Sequence, residues 1–144
     1  MRKYLAIIAA AIAVSGCATS PTPLASASPA PRERVTAFQE QTPETGTLII
    51  TRDSGVIGGG CFYGISINGK QAARLDTGET ARFYVPAGEV LLRSGRDPLG
   101  KGLCAVGKDQ WTQRETTLKL GETKHFRLLI DANAKTDIER SDDQ

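Results

Sequence analysis

Alternating apolar and polar residues dominate the chain from Gly46 to Arg140, and this pattern limits the fold more than any other feature. The clearest run extends from Cys61 to Asn68, and its large apolar side chains share one face: Cys61, Tyr63, Ile65 and Ile67. A repeat of two residues is typical of a strand with one buried face. The run ends at Asn68-Gly69, which favours a type I′ hairpin turn because both residues tolerate positive φ. The sequence therefore predicts a β-hairpin whose second strand runs from Lys70 to Asp76.

Seven other runs, one of which is this second strand, show the same alternation as residues 61–68. They lie at residues 47–52, 70–76, 80–85, 89–94, 114–120, 124–131 and 136–140. Turn signals such as Thr77-Gly78 and Pro86-Ala87-Gly88 separate them, and no amphipathic helical pattern intervenes. Many short strands at regular spacing indicate an antiparallel sandwich or barrel. We predict an all-β domain over residues 46–140, an antiparallel β-sandwich of seven or eight short strands, with a frayed tail at 141–144.

The first sixteen residues follow the plan of a signal peptide. Arg2 and Lys3 form a charged start, Leu5 to Val14 an apolar core, and Ser15-Gly16 the small residues before a cut. About ten apolar residues rise only about 15 Å as a helix, half the hydrocarbon thickness of a bilayer. We predict a cleaved leader over residues 1–16, the alternative being a short uncleaved anchor.

The charge balance argues against one class of partner. The chain has 144 residues, with 18 Lys+Arg and 16 Asp+Glu. Cleavage before Cys17 removes Arg2 and Lys3 and no acidic residue, which leaves equal numbers of the two signs. Because nucleic-acid binding needs a basic surface to displace counterions, we expect no nucleic-acid partner.

The residues Val14-Ser-Gly-Cys17 resemble the lipobox of bacterial lipoproteins. The resemblance implies that lipid is attached to Cys17 and that the chain is cut just before it. Ala18 at the next position, rather than Asp, implies export to the outer membrane, with the domain facing the periplasm. The alternative is a secretory leader followed by an incidental cysteine.

Residues 17–45 are rich in Pro, Ala and Ser. Pro21, Pro23, Pro29 and Pro31 block regular backbone hydrogen bonding, and few of the other side chains are large enough to build a core. We predict a disordered tether, with at most a helical turn at residues 35–41. At about 3 Å per extended residue, the tether would hold the domain several tens of ångströms from the membrane.

Cys61 and Cys104 remain as an even pair once Cys17 is assigned to the lipid, and exported proteins commonly pair such cysteines. We predict a disulfide, which would stabilise the domain by about 4 kcal/mol in the chain-entropy model. The alternatives are two free buried thiols or a metal pair. The sequence has no CxxC motif, and its one histidine, His125, has no partner at ligand spacing. We therefore expect no metal site.

The Gly-rich segment from Gly95 to Gln110 is long for a loop in so small a domain. Long loops on rigid scaffolds often bind partners, and this one carries several charges near the only tryptophan. We predict a binding loop whose contact residues are Arg96, Asp97, Lys101 and Trp111. The alternative is structural: Trp111 plugs one end of the sandwich, and the charges keep the loop solvated.

The glycine run Gly58-Gly59-Gly60 also allows two interpretations. One is a flexible binding loop with exposed Val56 and Ile57. The other is a structural bend that brings the chain to the disulfide, since glycine adopts backbone angles that other residues avoid. We favour the bend.

No set of catalytic residues assembles in the sequence. There is no GxSxG motif. The alternation of apolar and polar residues at 124–131 places His125 on the solvent face of a strand. The segment from Gly64 to Lys70 has the spacing of a phosphate-binding loop. However, Gln71 follows it where Ser or Thr is required, and the segment is itself a strand. We expect no enzyme activity, no cofactor and no nucleotide.

Three turn-and-strand segments resemble small PEGA-like or transthyretin-like lipoprotein domains. They are Ile67-Asn-Gly-Lys70, Tyr84-Val-Pro-Ala-Gly88 and Leu120-Gly-Glu-Thr123. The resemblance implies a fold and carries no catalytic residue, and the Gly-rich segment containing Cys104 departs from the pattern.

We therefore predict a lipid-anchored lipoprotein of the cell envelope, a non-catalytic binding or structural module with an envelope protein as partner. One alternative is an inhibitor of an envelope hydrolase such as a lysozyme, for which Ser54-Gly55 is a weak match to an inhibitory loop. A further alternative is an uncharacterised enzyme.

Overall fold

The computed structural model describes residues 18–142, so the predicted signal peptide, Cys17 and the last two residues of the predicted tail lie outside the described residues. Within this range the chain forms nine strands. They are β1 (Ser28–Pro29), β2 (Thr45–Arg52), β3 (Tyr63–Ile67), β4 (Lys70–Leu75), β5 (Glu79–Pro86), β6 (Gly88–Arg96), β7 (Trp111–Leu118), β8 (Thr123–Ile130) and β9 (Thr136–Ser141). Three short 3-10 helices lie at Leu24–Ser26, Arg32–Arg34 and Gly102–Ala105.

The strands form two sheets that pack face to face. One has the order β1-β5-β2-β8-β9 and the other β4-β3-β6-β7. The predicted all-β sandwich is confirmed, and each of the eight predicted strands has a counterpart. Two neighbouring pairs, β1–β5 and β2–β8, run parallel, and the other pairs run antiparallel. An alternating sequence reports which face of a strand is buried, but it does not specify the direction of the neighbouring strand.

The core lies between the two sheets and contains the apolar face that the alternation predicts. Tyr63, Ile65 and Ile67 are fully buried, as are Leu48 and Ile50 of the facing sheet. The hairpin turn also follows the prediction. Asn68 and Gly69 have φ values of 49° and 78°, as a type I′ turn requires, and the Asn68 side chain accepts a hydrogen bond from the backbone N–H of Leu91.

Residues 18–44, here called the strap, pack along the sandwich, so the prediction of a disordered tether is wrong for these residues. Their backbone pairs with the sheets at several points. Ser20 pairs with Ser54, Ala30 donates to Thr80, Thr36 donates to Ala72, and Phe38 accepts from Tyr84. The physical reason is that β4 is an edge strand and β5 would be one without β1, which belongs to the strap, so both have backbone groups left to pair. An extended, proline-containing segment can pair with such an edge without supplying many core side chains.

The ends of the sandwich differ in character. The loop end carries the connections at residues 53–62, 76–78, 97–110 and 131–135, and the turn end carries the short reversals after β3, β5 and β7. The strap starts at the loop end, where Ser20 pairs with Ser54, and finishes at the turn end, where β2 begins. The residues nearest to Cys17 in sequence therefore lie at the loop end.

Candidate interaction surface

A disulfide joins the two largest loops of the loop end. The sulfur atoms of Cys61 and Cys104 are 2.00 Å apart and the Cα atoms 5.4 Å apart, so the predicted pairing is confirmed. The bond holds the loop at residues 53–62 against the Gly-rich loop at residues 97–110. These two loops therefore form one continuous surface.

A buried arginine fixes the first of these loops, residues 53–62, from the core side. Arg52 is only 1% exposed, and its guanidinium donates hydrogen bonds of 2.7–2.8 Å to the carbonyl oxygens of Gly58, Cys61 and Leu75. It also lies 4.6 Å from the centre of the Tyr63 ring. Burial lowers the pKa of Arg52. Arg52 was not among the predicted site residues, although it continues the alternation of Leu48 and Ile50 and therefore shares their inward face.

The glycine run has the structural role that we favoured. Gly58 has a φ of 73°, and a Cβ there would lie 2.7 Å from the Tyr63 hydroxyl oxygen. No other residue fits this approach without displacing the ring. Val56 is exposed, as the binding-loop interpretation expected, whereas Ile57 packs against the core.

The second loop is fixed by an ion pair. Asp97 is 3% exposed, and its carboxylate accepts hydrogen bonds from Arg74 at 2.6 and 2.7 Å and from the backbone N–H of Leu99 at 2.9 Å. Burial opposes the ionisation of Asp97, but these hydrogen bonds outweigh it and hold the pKa of Asp97 below its ordinary value. Asp97 is thus positioned to shape the loop.

The strap is tied to the sandwich by a second ion pair. Arg34 donates two hydrogen bonds of 2.6 Å to the Glu79 carboxylate. The centre of the Phe62 ring lies 4.3 Å from the guanidinium group of Arg34 and 5.0 Å from that of Arg74. Phe62 therefore links the strap to the loop that carries the disulfide.

Trp111 packs over the backbone of β3 and β6. Its ring covers Gly64 and Gly95, where a Cβ would lie within 2.9 Å of the indole, and its Nε1–H donates to the Lys108 carbonyl oxygen at 2.9 Å. Arg96 is half-buried beside the Tyr63 ring. Of the four predicted contact residues, only Lys101 is exposed.

Four apolar side chains project into solvent from the two disulfide-linked loops. We call this group the apolar apex: Val56, Leu99, Leu103 and Val106. Val56 is 92% exposed and Leu103 86% exposed. The two leucines lie in the Gly-rich segment, whose charges and tryptophan were its more conspicuous features in the sequence.

The start of the strap lies beside the apex. Thr19 donates its backbone N–H to the Ile130 carbonyl oxygen at 3.1 Å, and its hydroxyl accepts from the Ile130 N–H at 3.0 Å. Its Cα lies 3.2 Å from where a Cβ on Gly55 would stand. The antiparallel bridge between Ser20 and Ser54 directs the chain before Ser20 along the loop that carries Val56.

This pairing also fixes Ser54, the residue proposed for an inhibitory loop. Its backbone bonds to Ser20 in both directions, and its hydroxyl lies 2.6 Å from the Thr22 hydroxyl. Ser54 therefore lies along the strap, at the start of the loop that carries Val56. The inhibitor alternative stays a prediction.

Three further features bear on function. In residues 18–142 no three His, Cys, Asp or Glu side chains come together in a way that would hold a metal ion. At the turn end, a shallow groove of about 320 Å³ is lined by residues that include Asn68, Glu89 and Glu115. His125 lies on β8, half-buried beside the strap rather than on an open face.

No helix in the described part of the chain is both long enough and apolar enough to span a bilayer.

No family model matches the chain, and no curated protein matches it in sequence. The resemblances to lipoproteins and to PEGA-like domains therefore stay predictions.

Proposed function

We propose that this chain is a lipid-anchored lipoprotein of the bacterial cell envelope, and that its sandwich is a non-catalytic binding or structural module attached by its loop end. The proposal is supported by one feature of the sequence together with one feature of the structure. Cys17 ends a lipobox-like motif, and the chain is bound to the sandwich from Thr19 onward.

The link between lipid and domain is short in this proposal. One residue, Ala18, separates Cys17 from Thr19, and two extended residues span at most about 7 Å. The lipid would therefore be attached at the loop end itself. Export signalled by Ala18 would place the protein in the outer membrane, facing the periplasm and an envelope protein partner.

The pairing of the buried acids supports a non-catalytic role. Asp53 and Asp97 are the buried carboxylates among the described residues. Asp97 is bound by Arg74, and Asp53 is bound by Arg127 and the Thr19 hydroxyl. General acid–base chemistry needs a carboxyl group that can reach a substrate, whereas both of these groups hold loops and strap in place.

The test is metabolic labelling with an alkyne-tagged fatty acid in a bacterial host. We expect the wild-type protein to carry the label, and we expect Cys17→Ser to lose it and to accumulate as the longer precursor. The matched control is the double variant Cys61→Ala/Cys104→Ala, which removes cysteines elsewhere and should keep the label. A labelled Cys17→Ser protein, or an unlabelled wild-type protein, would overturn the proposal.

A further inference from the structure

We infer that the apolar apex contacts the lipid bilayer, so that the sandwich stands on the membrane on its loop end. The inference rests on the proposed lipidation of Cys17 and extends it from an attachment point to a membrane-binding surface. The ligand is the interfacial layer of the bilayer, in which apolar side chains enter the boundary between headgroups and acyl chains.

The exposed apolar side chains of the apex indicate an interaction surface. Single exposed apolar residues are normal on protein surfaces, but a group of them marks an interaction site. Val56 and Leu103 are almost completely exposed, and the disulfide between Cys61 and Cys104 holds their two loops side by side.

The course of the chain selects the bilayer as that occupant. Thr19 is bound to Ile130 and lies against Gly55, one residue before Val56. Since Cys17 is only two residues before Thr19, a lipid on Cys17 brings the membrane surface within about 7 Å of this point. A protein partner on the apex would have to fit into the same narrow space.

The charges around the apex fit a membrane interface. Lys101 and Lys108 are exposed in the same loop as Leu103 and Val106. Apolar side chains flanked by lysines are the pattern of interfacial segments, because the lysines attract anionic headgroups while the apolar groups enter the boundary region. Asp109 is also exposed and offsets one of the two positive charges.

The apex is held in shape before it meets a membrane. Arg52 fixes the first loop through the Gly58 and Cys61 carbonyl groups, and the pair of Asp97 with Arg74 fixes the second. Binding by a pre-formed surface avoids the entropic cost of ordering loops. Such restraint is expected of a contact surface and is not needed in loops that only connect strands.

The test compares two exposed leucines at opposite ends of the domain. Leu103→Trp reports on the apex, and Leu120→Trp, at a position 66% exposed at the turn end, is the matched control. Trp111 is kept in both variants and supplies the same background. Each full-length lipoprotein is purified after lipidation and reconstituted in vesicles of phosphatidylethanolamine and phosphatidylglycerol, with or without bromine on the acyl chains.

We expect the emission of Leu103→Trp to shift to shorter wavelength and to lose intensity in brominated vesicles. We expect Leu120→Trp to change no more than the parent protein. Equal quenching at the two sites, or no added quenching at Leu103→Trp, would overturn the membrane contact.

Flotation of the vesicles separates this failure from failure of the proposed function. Protein that floats with the vesicles but shows no quenching at Leu103→Trp retains its lipid and refutes only the apex contact. Protein that carries no lipid and does not float refutes both. In cells, a photo-reactive benzophenone at position 103 should label lipid, and a protein adduct there would refute the bilayer as occupant.

Discussion

Thr19 and Ile130 are joined by a reciprocal pair of hydrogen bonds, one from the Thr19 N–H to the Ile130 carbonyl oxygen and one from the Ile130 N–H to the Thr19 hydroxyl. The same hydroxyl lies 3.1 Å from the Asp53 carboxylate. This small network connects the start of the strap to the end of β8. It decides where the chain leaves the sandwich.

We expect Thr19→Ala to lower the free energy of unfolding by about 1 kcal/mol, because it leaves the Ile130 N–H without its hydroxyl acceptor. Thr22→Ala is the matched control, because Thr22 is also on the strap and its exposed hydroxyl is bonded to the Ser54 hydroxyl. We expect a smaller loss there. Urea unfolding of both variants checks this, and equal losses would show that the Thr19 network does not hold the strap.

Arg52 is expected to be among the most sensitive positions. Arg52→Leu leaves three carbonyl groups without their donor, and we expect a loss of about 3 kcal/mol or more. Arg82→Leu, at an exposed position on β5, is the control and should change stability by less than about 0.5 kcal/mol. Denaturant unfolding measures both, and a mild effect at Arg52 would contradict its role as the clamp of the first loop.

Reduction of the Cys61–Cys104 disulfide should destabilise the domain. The two cysteines are 43 residues apart in sequence, and the chain-entropy model gives a loss of about 4 kcal/mol. Urea unfolding with and without reductant measures the loss in the wild-type protein. The Cys61→Ala/Cys104→Ala variant is the control and should not respond to reductant. An equal response in both proteins would mean that the reductant acts elsewhere.

The pair of Asp97 with Arg74 should make part of the stability depend on pH. The pKa of Asp97 is below its ordinary value of 3.8 in the folded protein, so the folded state binds its proton less readily than the unfolded state does. The stabilisation is therefore fully present above pH 3.8, and it is lost as the pH falls from 3.8 through the lower folded pKa. We expect the stability gap between wild type and Asp97→Asn to narrow over that range.

Unfolding free energies measured from pH 7 down to pH 2 check this expectation. Asp109→Asn, an exposed position in the same loop, should match the wild type at pH 7. A gap for Asp97→Asn that stays constant as the pH falls would contradict the assigned ion pair.

The strands could be predicted because burial of one face leaves a direct record in the sequence. Tyr63, Ile65 and Ile67 alternate with smaller residues, and Asn68-Gly69 allows the turn that follows. The disulfide followed from the number of cysteines. Partner strands could not be predicted, since the parallel pairing of β2 with β8 depends on contacts distant in sequence.

The course of the strap and the leucines of the apex were missed for different physical reasons. The strap binds mainly through backbone groups, which every residue has, so its composition resembles that of a disordered segment. The apex depends on which loop side chains remain uncovered after folding. Leu103 is exposed and Ile57 packs against the core, but both are apolar loop residues, and the sequence does not show which of them will be covered. Trp111 was recognised from the sequence, but its packing over Gly64 and Gly95 was not.

The strap also sets the distance between the domain and the membrane in the proposed lipoprotein. A flexible tether would let the domain sample a wide range of heights above the membrane, whereas a strap bound along the sandwich leaves almost no slack. An eight-residue strand such as β2 spans about 26 Å, so the groove near Asn68 would be presented at one nearly constant height in the proposed lipoprotein. A partner in the periplasm would then be selected by its reach as well as by its surface.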